Sequence, residues 1–137
     1  MQPKQTSVLI IDNDLGSVFW LGHVLEAAGY DAFPARSLSD ANLLLKELCV
    51  WVDLLIVRAS IPGVAAFLGE LRANQGIVRT LGLLEETEEL KELAFPMNAW
   101  FRKPLFTDET AQLDYLDVIS QVLSVSAWDL GTRTSVG

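Results

Sequence analysis

Short apolar runs alternate along this chain with stretches whose apolar residues recur every three or four positions. Val8-Leu9-Ile10-Ile11 shows no polar alternation, the pattern of a strand buried on both faces of a parallel sheet. Val18, Leu21, Leu25 and Ala28 then recur at helical spacing, and Gly29 supplies a C-terminal stop. Tyr30 to Phe33 predicts a short second strand. Ser37 or Ser39 can cap a helix through Leu48 that turns Ala41, Leu44, Leu45 and Leu48 inward. Leu54-Leu55-Ile56-Val57 is a third apolar strand, and Val64 to Ala73 the helix after it.

The second half repeats the alternation. Ile77 to Leu84 contains a fourth strand whose register is blurred by Arg79 and Gly82. Glu86 to Phe95 reads as a helix with Leu90 and Leu93 inside and acids in its first turn. Ala99-Trp100-Phe101 is a fifth strand ending at Lys103-Pro104. Glu109 to Leu123 reads as an amphipathic helix carrying Leu113, Leu116, Ile119, Val122 and Leu123. Residues 125–137 are polar and small apart from Trp128 and read as a tail or the start of a linker, leaving one domain over residues 7–124. Five strands alternating with five helices through short loops imply an α/β fold, (βα)5, with a doubly wound five-stranded parallel sheet. Such a sheet gathers the C-terminal ends of its first, third and neighbouring strands around one crevice, where ligands and chemistry collect.

Composition narrows the function classes. At 137 residues, half of them hydrophobic, the chain has enough material for a core and is not of disordered type. Its net charge of −8 argues against direct nucleic-acid binding, which needs a basic surface. No apolar stretch approaches the roughly 18 residues of a membrane span, and the first residues lack a signal-peptide layout. Cys49 is the single cysteine, so no intrachain disulfide can form and a cytoplasmic location is expected. One Cys and one His also argue against a zinc site.

The crevice has its own charged cast. Asp12, Asn13 and Asp14 follow the first strand, Arg58 closes the third, and Lys103 ends the fifth. In order, Ile10-Ile11-Asp12-Asn13-Asp14, then Asp53 through Arg58 with Ile61-Pro62-Gly63, then Phe101-Arg102-Lys103-Pro104 resemble the receiver domain of two-component response regulators. The resemblance covers about residues 7–124 and implies the flavodoxin-like strand order 2-1-3-4-5. It further implies two acids after strand one that help hold Mg²⁺, a phosphorylated aspartate ending strand three, a Thr or Ser ending strand four, and a Lys followed by a cis-proline after strand five. Aspartate is the nucleophile in such a site, and Mg²⁺ screens the phosphoryl oxygens.

Carried over residue by residue, Asp12 matches the first acid and Lys103-Pro104 the Lys-Pro pair. Asn13 stands in the second acid's place, and Arg58 at the phosphoacceptor. Leu81, Leu83 and Leu84 carry no hydroxyl for the strand-four position, and Thr80 would need an awkward register. Trp100 fills the aromatic position of strand five. A guanidinium forms no acyl phosphate. It also brings positive charge where Mg²⁺ needs carboxylates, of which only Asp12, helped by Asp14, remains. The expectation is a degenerate pocket of Asp12, Asn13, Arg58, Lys103 and Pro104 that holds no cofactor and binds Mg²⁺ weakly or not at all. Arg58 would pair with Asp12 or Asp14, or else snorkel outward; Asp14 also reads as an N-cap.

The implied function is that of a non-enzymatic signalling module of the phosphorelay type, not phosphorylated at the usual position and working through a protein partner. Phe95, Trp100, Arg102 and Leu116 are the expected interaction face, a route also to a homodimer through the fourth helix, fifth strand and last helix. One alternative is a relocated acceptor such as Ser60, which would need an activating base; His23, in the first helix, is more simply a helix-surface residue. Another is a small-ligand site, although Asp14-Leu15-Gly16-Ser17 is no glycine-rich phosphate loop.

Overall fold

A computed structural model describes residues 5–85 and 97–124. Five strands, β1 (Ser7–Ile11), β2 (Asp31–Ala35), β3 (Leu54–Arg58), β4 (Arg79–Leu84) and β5 (Ala99–Arg102), form one parallel sheet in the order β2-β1-β3-β4-β5. Four described helices surround it: α1 (Leu15–Ala27), α2 (Leu38–Leu48), α3 (Val64–Gln75) and α4 (Glu109–Ser124). The helix expected over Glu86 to Phe95 and the tail at 125–137 lie outside the described residues.

The alternation of the central strands builds two cores. Val8, Ile10, Leu54, Ile56, Leu81 and Leu83 point to the face covered by α1 and α4. Leu9, Ile11, Leu55 and Val57 point to the other face, under α2 and α3. Every residue of β1 is buried, as its unbroken apolar run required. Burying a Val, Leu or Ile side chain contributes about 1.5–3 kcal/mol, so these strands anchor both layers. Among the described residues no helix is long and apolar enough to cross a membrane.

Local chemistry sets the helix ends. The Asp14 carboxylate accepts from Ser17 N–H at 3.3 Å and starts α1. Gly29, at φ 97°, takes the left-handed position that ends it. Ser37, not Ser39, caps α2, its hydroxyl accepting from Asp40 N–H at 3.1 Å. Asp108 does the same for α4 through Ala111 N–H at 2.9 Å.

Three expectations change. The second strand runs over Asp31–Ala35, later than expected and through Pro34; β2 is an edge strand, where a missing N–H is tolerated. Leu48 is exposed at the end of α2 instead of inside. In α4 the buried positions are Ala111, Tyr115, Ile119 and Val122, while Leu113 is exposed. That helix carries apolar residues on more than one side, and the stripe that meets the sheet is the one bearing Tyr115.

Candidate functional site

The parallel sheet delivers Asp12, Arg58, Glu85 and Lys103 to its C-terminal edge, each just after or at the end of its strand. β1 and β3 are in register from Val8 opposite Leu54 to Ile11 opposite Val57, so Asp12 and Arg58 leave neighbouring strands at the same level. Arg58 stands opposite Leu83 of β4, and Glu85 follows Leu84. Lys103 is tied to that edge by its own N–H, which donates to Leu84 C=O at 2.8 Å.

Asp12 is 1% exposed and is held by two donors: Lys103 Nζ at 2.6 Å and Asp14 N–H at 3.0 Å. Lys103 is itself buried, and its ammonium also meets Glu85 Oε1 at 3.2 Å and lies 3.7 Å from Asp14 Oδ2. Burial alone would pull this ammonium down. The hydrogen bond and charge of Asp12, joined by those of Glu85, outweigh it and hold Lys103 above its ordinary value. Asp14 is held below the usual carboxylate range, chiefly by the Ser17 N–H it accepts; burial opposes this, while the Ser17 hydroxyl and Lys103 assist.

The expected Arg58–Asp12 pair is not what forms. Arg58 Nη1 donates to Asn13 Oδ1 at 2.6 Å, and its Nε lies 3.4 Å from Glu85 Oε1. The enclosed carboxylate takes the compact ammonium on the longer, thinner stem. The planar guanidinium, a quarter exposed, stays at the rim and bridges two neighbouring groups. Glu85 is therefore shared: one carboxylate oxygen faces both cations. Two acids, Asp12 and Glu85, meet two cations, Arg58 and Lys103, with Asp14 at the rim.

Glu85 was not singled out from the sequence. It adjoins Glu86, Glu88, Glu89 and Glu92 and blends into a run of solvated acids. The available signal was its position directly after the apolar run ending at Leu84, as Asp12 follows Ile11. The strand-four end offers Leu84 and Glu85, with no hydroxyl. Thr80 lies deep in β4 opposite Leu55, where its Oγ1 and N–H exchange hydrogen bonds with Asn98. The described residues contain no cis peptide bond, so Lys103–Pro104 is trans, the default for an X–Pro bond.

Other expected residues scatter. Ser60 is exposed in the turn after β3, and His23 is exposed on α1. Of the expected interaction face, Phe95 lies outside the described residues. Trp100 is half-buried, its ring occupying the space a Cβ on Gly82 would need. Leu116 packs against the core on the opposite side of the sheet, and exposed Arg102 donates to Glu85 C=O at 2.8 Å. Beside the charged cluster an open cleft of about 530 Å³ runs between the start of α1 and the loop after β5, with Leu105 and Phe106 on its wall.

The donor chemistry suits a metal poorly. Asp12 already accepts Lys103, the Asn13 oxygen already accepts Arg58, and two cations stand where Mg²⁺ would sit among carboxylates. Among the described residues no group of three or more His, Cys, Asp and Glu side chains is arranged to hold a metal ion.

No family model and no curated protein matches the chain. Solved structures do. The chemotaxis response regulator CheY4 of Vibrio cholerae is 22% identical, with a TM-score of 0.62 over 85% of this chain and 99% of its own. A response regulator receiver protein from Burkholderia phymatum is 19% identical, with a TM-score of 0.69 over 90% of this chain and 98% of its own. A CheY-like receiver domain protein from Methanospirillum hungatei is 16% identical, with a TM-score of 0.67 over 88% and 94% of the two chains. This chain has the receiver fold. At such identities the likeness covers the backbone and not the chemistry.

Proposed function

We propose that this chain is a receiver-like domain of two-component signalling that takes no phosphoryl group at the strand-three position and acts as a regulatory interaction module for protein partners, not as an enzyme. Arg58 carries the reading: it ends β3, where the resemblance calls for the phosphorylated aspartate, and is held there by Asn13 and Glu85. A guanidinium cannot be the nucleophile of an acyl phosphate. The cluster replaces both charges of a loaded site with its own, the cations standing in for Mg²⁺ and Glu85 for the anion. Arg58 and Lys103 then offset Asp12 and Glu85, and Mg²⁺ would have to displace a cation already in place.

The test is incubation with acetyl phosphate, or with beryllofluoride, in the presence of Mg²⁺, read by intact mass and by amide chemical shifts. The expected result is an unchanged mass and no Mg²⁺-dependent shifts around Asp12. A stable adduct on any aspartate, or saturable Mg²⁺ binding in the millimolar range or tighter, overturns the reading.

A further inference from the structure

We draw no further inference here: the strongest candidate, the open cleft beside Lys103 and Glu85 with exposed Leu105 and Phe106 on its wall, belongs to the charged site already described, and nothing in the structure shows what covers those two side chains.

Discussion

Lys103 and Arg58 are both cations at the same sheet edge, yet their environments assign them different work. Lys103 is buried against the nearly inaccessible Asp12, so Lys103→Met would leave an uncompensated carboxylate inside the protein. Breaking a buried pair in this way costs about 3–5 kcal/mol. Arg58 is partly exposed, bonds a neutral amide and shares Glu85 with Lys103. Its replacement by Ala should cost no more than about 1 kcal/mol. Urea denaturation of the two variants checks the order; an Arg58→Ala loss as large as that of Lys103→Met would mean that the guanidinium, not the ammonium, neutralises the pocket. The sequence announced all three of Asp12, Arg58 and Lys103, because each ends an apolar run. It could not say which cation meets which acid, since that depends on reach and burial across strands 45 or more residues apart.

At the scale of elements, β4 and β5 show how one missing side chain makes room for another. A Cβ on Gly82 would lie 2.5 Å from Cζ3 of Trp100 and 3.1 Å from Cγ of Met97. The glycine that blurs the fourth strand's pattern is the seat of the fifth strand's aromatic ring. Gly82→Ala should therefore destabilise the protein by about 1–3 kcal/mol through overpacking. Trp100→Leu in the same chain should remove part of that cost, a non-additivity that a double-mutant cycle in urea measures. Additive losses would show that the ring does not rest on Gly82. Asn98 meanwhile bonds Thr80 through both side chain and backbone at the start of β4, the end of the strand remote from the charged cluster. The α4 register was illegible for a related reason. Leu113 marks a side that reads as apolar as that of Tyr115 and Ile119, and only the docked sheet selects between them.

For the whole molecule, Tyr115 joins the core to the charged edge. It is buried between Trp20 and Phe101, with ring centroids at 5.8 and 4.4 Å. Burial pushes its phenol well above the ordinary value of 10.0, and the negative charges of Asp12 and Glu85 push the same way. Lys103 is raised above its ordinary 10.5 as well. Both groups keep their protons more tightly folded than unfolded, so their contribution is complete below about pH 10 and is lost as pH rises through the folded values. The melting temperature should fall steeply above pH 10, with a shallower fall for Tyr115→Phe, which has no phenol to ionise. Thermal scans from pH 8 to 11 check this; identical slopes for the two proteins would remove Tyr115 from the account.

Periodicity alone determined that this chain is a parallel α/β domain, because strands buried on both faces must read as unbroken apolar runs and their helices as amphipathic repeats. The same runs named the residues at the reactive edge, and the arginine at the end of the third strand excluded acyl-phosphate chemistry there by its functional group alone. The tertiary structure decided what proximity decides. It paired Asp12 with Lys103 and brought Glu85 between two cations. It turned Trp100 onto Gly82 and left an open groove between the ends of α2 and α3. Those facts rest on distances between segments remote in sequence, and no local pattern of residues encodes a distance.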